Sequence, residues 1–168
     1  MNKNIKLLTL TALFAAMTFV LTSFGKIPVG NGYIHIGDSI IYLAACILPF
    51  PYAIFAAGIG GALSDALGGY AMYIVPTLII KALITCPYSP KSVQILTKRN
   101  AIMIIPAGFI TVVGYFLTGL WFYGWSGAVI GVIGDTVQAV GSAILFLVFA
   151  AALDKMKFKQ NLLRGVRC

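Results

Sequence analysis

Apolar segments occupy almost the whole chain and leave little room for any other architecture. Six can be delimited, approximately at 5–24, 36–50, 52–69, 70–86, 101–121 and 125–153. A membrane-crossing helix needs about 20 residues, so 168 residues hold six helices with short connections and no sizeable extramembrane domain. Runs that are apolar on every face disfavour a β-barrel, whose strands alternate apolar and polar residues. The sequence predicts one domain over 1–168, an all-α integral membrane protein built as a compact six-helix bundle.

The second apolar stretch is too short for its crossing to be certain from sequence. Its apolar core, 36–48, covers only ~20 Å at helical rise, against a hydrocarbon core of ~30 Å. It either crosses with little tilt or pairs with the third stretch as a re-entrant hairpin. Pro49-Phe50-Pro51 predicts the turn in both cases, because proline ends helices.

The basic residues indicate an orientation rather than a nucleic-acid partner. Twelve Lys and Arg face four Asp, a net charge of +8, and cytoplasmic loops of membrane proteins are rich in Lys and Arg. With the N-terminus inside, only Lys26 is outside and Lys81 lies within a span. The remaining basic residues are inside: Lys3, Lys6, Lys91, Lys98, Arg99, Lys155, Lys157, Lys159, Arg164 and Arg167. This pattern predicts cytoplasmic termini in a multi-pass cell-membrane protein, and no disulfide among Cys46, Cys86 and Cys168.

Four charged residues fall inside the apolar stretches. Asp38, Asp65, Lys81 and Asp135 all lie between the predicted outer surface and the midplane. A charge near the bilayer centre costs ~2.5–3.5 kcal/mol even on the mildest scale, so such residues face the protein interior and usually serve a function. Gln138 lies one turn from Asp135 on the same helix face. We therefore expect a polar chamber that opens outward above an apolar base.

Two interpretations of these charges remain open. Lys81 can neutralise one aspartate in an internal ion pair, while Asp38 and Asp65, near helix ends, can support loops. Alternatively, three aspartates against one lysine leave negative charge that is removed by protonation or matched by a cationic or donor-rich ligand. Aromatic residues at the outer edge are typical of an interfacial belt, although a few could close over a flat ligand. These residues are Phe24, Tyr33, Tyr70, Tyr73, Trp121, Tyr123 and Trp125.

Small residues and missing motifs define the remaining expectations. Glycines in the third and sixth stretches predict close helix packing, while Ala12, Ala15 and Ala16 give the first helix a face suited to a partner protein. The sequence contains no phosphate-binding loop, HExxH metal site or GxSxG elbow. With one histidine and no glutamate, we expect no enzyme activity, metal or cofactor, and an energy source on other subunits.

Three runs of sequence resemble a known family. They are Gly32-Tyr33-Ile34-His35-Ile36-Gly37-Asp38, residues 60–70 around Ser64-Asp65, and Pro76-Thr77-Leu78-Ile79-Ile80-Lys81-Ala82-Leu83. Together they are similar to the substrate-binding S components of energy-coupling factor (ECF) vitamin transporters. The branch is the one that includes riboflavin, hydroxymethylpyrimidine and pyridoxine-type S components.

The resemblance implies a mechanism of transport. In this family six helices bind a vitamin near the outer surface of the bilayer, and the loop corresponding to 25–35 acts as a lid. Ala12 and Ala16 match the motif that contacts a transmembrane coupling subunit. Two cytoplasmic ATPases drive the cycle, and the S component is thought to topple in the membrane. A bacterial plasma membrane is the expected location.

The resemblance also suggests candidate binding residues. They are Lys81, Asp135 and Gln138 in the chamber, Tyr33 and His35 in the lid region, Tyr115 or Trp121 for stacking, and Asp38. A pyridoxine-type ligand or hydroxymethylpyrimidine is the favoured vitamin, and riboflavin is second. The alternatives are a small channel or proton-coupled carrier, a membrane enzyme, and a structural subunit that binds no ligand.

Overall fold

The computed structural model describes residues 3–29 and 32–163. Arg164, Arg167 and Cys168, for which the sequence makes predictions, lie outside the described residues. The elements follow one another as α1 (Lys3–Phe24), β1 (Ile27–Val29), β2 (Gly32–Ile34), α2 (Asp38–Ile47), α3 (Phe50–Leu67), a 3-10 turn (Ala71–Tyr73), α4 (Ile74–Leu83), α5 (Lys98–Ile102), α6 (Ile104–Lys155) and α7 (Phe158–Leu162).

The short second helix forms the centre of the molecule. All ten residues of α2 are buried, and it contacts α1, α3 and α6. Ten residues rise only about 15 Å, so α2 is shorter than the predicted helix over 36–50 and does not span a bilayer by itself. Leu48 takes an extended conformation, and α3 then begins with Pro51 in its first turn. The predicted turn at Pro49-Phe50-Pro51 is therefore confirmed.

Helix α1 packs closely on α3 because a glycine lies at the contact. A Cβ atom on Gly60 would stand 2.6 Å from the carbonyl oxygen of Ala15 and 2.7 Å from the Cβ of Thr18. No larger residue fits there without a shift of the helices. The expectation that the glycines of the third stretch serve helix packing holds at this position.

The fourth helix is shorter than the predicted helix over 70–86. A 3-10 turn occupies Ala71–Tyr73 and α4 ends at Leu83. Pro76 is tolerated because it falls in the first turn, where amide hydrogens have no helical partner. Cys86 precedes Pro87, and a residue before proline disfavours the helical region. The predicted helix therefore extends too far at both ends.

The fifth and sixth predicted helices form one element with a break. Gly124 has φ 70° and ψ −172° within α6, a conformation that glycine adopts at little cost. The chain reverses there, which divides α6 into two arms, 104–123 and 125–155. The arms are in close contact, since a Cβ on Gly119 would lie 3.2 Å from the Cα of Ala128. A single residue thus replaces the predicted connecting loop.

A two-stranded antiparallel ribbon was not predicted. Strand β1 pairs with β2, with Ile27 opposite Ile34 and Pro28 opposite Tyr33. We call this ribbon the hairpin and its side of the molecule the hairpin end. An all-α description is accordingly correct for the body of the protein but omits the segment where the lid was expected.

Polar contacts close the opposite end of the molecule. The buried Lys159 ammonium donates to three backbone carbonyl oxygens, those of Cys46 at 2.6 Å, Ser92 at 2.7 Å and Pro90 at 2.9 Å. The Asp154 carboxylate accepts from the backbone amides of Ile95 and Leu96. These contacts fix the irregular segment 84–97 against the helices.

Three helical segments of the described chain are long and apolar enough to cross a membrane. They are Lys3–Phe24, Phe50–Leu67 and the nearly continuous Lys98–Lys155. The molecule is therefore a largely helical protein of membrane type.

Candidate ligand-binding cavity

A cavity lies at the hairpin end, between β2, the end of α3, α4 and both arms of α6. Its empty volume is about 670 Å³, including the part that opens to solvent. The cavity is therefore a partly open chamber that these elements enclose on the other sides.

Tyrosines supply much of the cavity wall. Tyr33 and Tyr70 have ring centroids 4.7 Å apart, and Tyr73 lies 6.4 Å from Tyr115 and 6.5 Å from Tyr123. The Tyr115 hydroxyl is 3.1 Å from that of Thr77, which also lines the cavity. Aromatic rings at such separations interact favourably. They give the cavity flat apolar surfaces with hydroxyl groups at their edges.

Glycines of α6 form another part of the wall. Gly127, Gly131 and Gly134 recur every three or four residues on one helix face and line the cavity, whereas the sequence predicted that they pack against another helix. A Cβ atom on Gly131 would meet only the Asp135 Oδ2, at 3.7 Å. The glycines therefore leave room beside the helix backbone.

A buried ion pair lies beneath the cavity. The Lys81 Nζ is 2.6 Å from the Asp38 Oδ1, with side-chain exposures of 1% and 0%. Gln138 joins this pair to the cavity, because its Nε2 donates to the Asp38 Oδ2 at 3.0 Å and its Oε1 accepts from the His35 amide at 3.3 Å. Of the two interpretations left open by the sequence, the geometry favours the internal ion pair for Lys81 and Asp38.

The hairpin is tied to the end of α3. The Tyr33 hydroxyl donates a short hydrogen bond to the Asp65 Oδ1. Lys26 donates to the Ser64 carbonyl oxygen at 3.0 Å, and its Nζ lies 4.2 Å from the centre of the Tyr33 ring. Burial and the Asp65 charge raise the pKa of Tyr33. Burial lowers the pKa of Lys26, an effect that the Asp65 charge opposes.

His35 enters the cavity wall as a neutral ring. Burial, reinforced by the Lys81 charge, lowers the pKa of His35 to about 3. Its Nδ1 accepts from the Gly37 amide at 3.0 Å, so the ring proton resides on Nε2. At physiological pH this side chain brings a hydrogen-bond donor to the site but no charge.

Asp135 is the carboxylate without a partner. It lines the cavity and is partly buried, and within residues 3–29 and 32–163 no side chain or backbone group donates a hydrogen bond to it or pairs with it. By contrast, Asp38 has Lys81 and Asp65 has the Tyr33 hydroxyl. Asp135 therefore presents free acceptor oxygens to whatever fills the cavity.

The structure brings most of the predicted site residues together. The cavity wall includes five of them, Tyr33, His35, Tyr115, Asp135 and Gln138. Lys81 and Asp38 lie one layer below as an ion pair. Trp121 does not line the cavity and is 85% exposed, as expected for an aromatic residue at a membrane interface.

Other lining residues escaped sequence-based selection. Tyr70, Tyr73 and Tyr123 line the cavity, although their position at the outer edge had assigned them to the interfacial belt. Asp65, recognised as an intramembrane charge, belongs to the wall as well. The available signal was the clustering of tyrosine, rather than tryptophan, around residues 70–73.

The predicted partner face on α1 is partly available. Ala12 and Ala16 are exposed, while Ala15 is buried toward the bundle. The exposed pair sits one helical turn apart on the outside of α1. Among the described residues, no group of three or more His, Cys, Asp or Glu is placed to hold a metal ion.

Comparison with known proteins places the chain in a family. Residues 2–155 match the family model described as ECF-type riboflavin transporter, S component. The chain belongs to the ECF S components. The resemblance seen in the sequence is thus confirmed, and S components are membrane-embedded transporter subunits, not enzymes, that bind a vitamin and work with an energy-coupling module.

Two curated relatives extend the comparison. The chain is 28% identical over 157 residues to the thiamine precursor transporter HmpT of Lactococcus lactis subsp. cremoris (strain MG1363), covering 92% of this chain and 91% of that protein. It is 32% identical over 123 residues to an uncharacterized protein in a gap 3' region of Pyrococcus woesei, covering 71% of this chain and 80% of that protein.

Proposed function

We propose that this S component captures a small water-soluble vitamin or vitamin precursor from outside the cell. It delivers the ligand inward together with a transmembrane coupling subunit and two cytoplasmic ATPases. The observation that carries the proposal is the cavity at the hairpin end, lined by tyrosines and the unpaired Asp135. Deep polar groups in membrane proteins usually mark a site or pathway.

The favoured ligand is hydroxymethylpyrimidine or a pyridoxine-type compound. The relative HmpT is named for a thiamine precursor. A small heteroaromatic ring suits flat tyrosine faces such as Tyr73 and Tyr115, and its amino or hydroxyl groups match the acceptor oxygens of Asp135. Riboflavin is the second candidate, since the matching family model is named for it.

The hairpin end faces outward in this proposal. Lys3 and Lys91 line a common groove with Pro49 and Pro90 at the opposite end, where Lys159 also lies. Concentration of positive charge there supports a cytoplasmic assignment for that end. In the proposed arrangement the chain passes six times between the two faces of a bacterial plasma membrane, the short α2 being continued by the residues on either side of it, and both termini are cytoplasmic.

Ligand identification tests the proposal directly. The chain is purified in detergent without partner subunits, any co-purifying small molecule is identified by native mass spectrometry, and a vitamin panel is titrated calorimetrically without ATP. We expect one of the pyrimidine, pyridine or flavin compounds to bind. No binding across the panel, with ion flux in liposomes that contain this chain alone, would favour a channel or proton-coupled carrier instead.

Two glycine variants locate the site. Gly131→Leu projects a side chain into the open cavity, whereas Gly141→Leu on the same helix meets nothing within 4 Å of its added Cβ. One extra methylene in a pocket changes binding about 10- to 200-fold, so the larger leucine should lower affinity at least that much at position 131. Equal affinity of the two variants would place the ligand elsewhere.

A further inference from the structure

We infer that the cavity selects a ligand that presents hydrogen-bond donors or positive charge to Asp135, and that it excludes the phosphate ester of the same ligand. The inference rests on the proposed function, because it assigns a substrate chemistry to the same cavity. It also gives Asp135 a role that differs from that of the other two intramembrane aspartates.

The Lys81 ammonium beneath the cavity is already neutralised by Asp38. Lys81 contacts Asp38 at 2.6 Å in a fully buried pair, and neither residue lines the cavity. Gln138 strengthens the arrangement by donating to the second oxygen of Asp38. A ligand anion would have to separate this pair to reach the lysine, which leaves the Asp38 carboxylate buried without a counter-charge.

The described residues of the hairpin and its flanks supply no cation to the cavity. Lys26 is engaged with the Ser64 carbonyl oxygen and the Tyr33 ring and is not a lining residue. His35 lines the cavity, but its imidazole is neutral at physiological pH. In the part of the chain that the structure describes, the cavity wall therefore contains no positively charged side chain.

The Asp135 oxygens are free to accept hydrogen bonds from a ligand. Both polar atoms of its neighbour Gln138 already bond to the protein, which leaves the Asp135 oxygens as the available acceptors on this turn of α6. An amino group or protonated ring nitrogen satisfies a carboxylate with a charge-assisted hydrogen bond. A phosphate ester in the same cavity would bring its own negative charge to a wall that offers acceptor oxygens and, among the described residues, no compensating cation.

Matched pairs of compounds test the inference. We would measure Kd for 4-amino-5-hydroxymethyl-2-methylpyrimidine, pyridoxine and riboflavin, and for the phosphate monoester of each. For the alcohol that binds, the ester should bind on the order of 100-fold more weakly or worse, since like-charge contacts at interfaces are strongly unfavourable. Equal affinity within a pair would overturn the inference and leave the proposed function intact. Failure of all three alcohols to bind would instead overturn the proposed function and the inference with it.

An Asp135→Asn variant identifies the group responsible. The asparagine keeps the shape and removes the charge, so affinity for the amine-bearing pyrimidine should fall about 10- to 100-fold, the size of a hydrogen bond to a charged group. An analogue without the amino group should bind both proteins alike, and discrimination against the ester should narrow. Thr136→Val, at the exposed next position on α6, is the control and should change neither. A loss of the same size for both analogues would refute the assignment to Asp135.

Discussion

Replacing Lys81 by methionine would show whether the deepest charge in the molecule supports the fold or binds the ligand. Lys81 and Asp38 are 1% and 0% exposed and 2.6 Å apart. Removing one partner of such a pair leaves an uncompensated buried charge and costs ~3–5 kcal/mol. For a chain of this size 1 kcal/mol shifts the unfolding midpoint by about 2–4 °C. Lys81→Met should therefore unfold about 6–20 °C below the unmodified protein.

The matched control removes both charges together. In Asp38→Asn/Lys81→Met the asparagine Oδ1 can still accept from the Gln138 amide, and neither charge remains to be solvated. A well-packed neutral replacement of a buried pair is often close to neutral in stability, so the double variant should regain most of the lost midpoint. The assay is thermal unfolding of the purified protein in detergent, read with and without saturating ligand. With the single variant Asp38→Asn and the unmodified protein, the four proteins form a double-mutant cycle.

Either of two results would refute this reasoning. If Lys81→Met keeps the midpoint of the ligand-free protein within about 2 °C yet loses ligand binding, the lysine contacts the ligand and its pairing with Asp38 is incidental. If the double variant is no more stable than the single one, the loss comes from packing of the lysine stem and not from charge.

Three further variants follow from other contacts. Tyr33→Phe removes the hydroxyl that donates to Asp65, so ligand dissociation should accelerate about 5- to 10-fold, as expected for loss of one hydrogen bond of ~1–1.5 kcal/mol; unchanged stopped-flow rates would show that the hairpin is not held there. The pKa of His35 is lowered from 6.5 to about 3, so the unfolded chain binds the proton at a higher pH than the folded protein does. The free energy of unfolding should therefore be at its full value above about pH 6.5 and lower by ~2 kcal/mol at pH 5. In His35→Gln the thermal midpoint should lose that slope, and a slope retained in full would assign it to other groups. Lys159→Met removes two hydrogen bonds to carbonyls of segment 84–97 and one to the Cys46 carbonyl of α2, which should speed amide exchange at Ile95 and Leu96 by more than 10-fold; exchange as slow as in the unmodified protein would show that Lys159 does not hold this segment.

The helical body was predictable because apolar length is a strong local signal. Helix α1 and both arms of α6 occupy the expected stretches, since no polar residue interrupts them for long. The boundaries of α2 and α4 were not predictable from hydropathy. Both segments continue as apolar sequence after the helix has ended. Helix α2 ends because Leu48 is extended, and α4 ends at Leu83, shortly before Pro87.

The hairpin escaped prediction because its strands are only three residues long. Its stability comes from contacts that lie far away in sequence, such as Tyr33 with Asp65. Gly124 likewise reads as an ordinary glycine between two tryptophan-containing runs. Its positive φ is what allows the arms of α6 to reverse within one residue.

Residue type alone predicted the region of the cavity but not which of its charges pair. The intramembrane charges identified the region where the cavity lies, because an isolated carboxylate in the membrane must face the protein interior. Spacing could not determine which aspartate the lysine neutralises. That depends on how the bundle brings Lys81 of α4 to Asp38 at the start of α2, and the pairing of Asp38 with the lysine leaves Asp135 without a partner.

Gln138 links the buried ion pair to the hairpin. Its side chain bonds to Asp38 below and to the His35 amide at the end of the hairpin strand, and it lines the cavity as well. Because both of its polar atoms are already held, the turn of α6 that carries Asp135 is ordered before a ligand arrives. Ordering a flexible side chain on binding costs ~0.5–1.5 kcal/mol, and this network removes that cost. We therefore expect the buried ion pair to contribute to affinity without touching the ligand, because Asp38 holds Gln138, and Gln138 bonds in turn to the end of the hairpin.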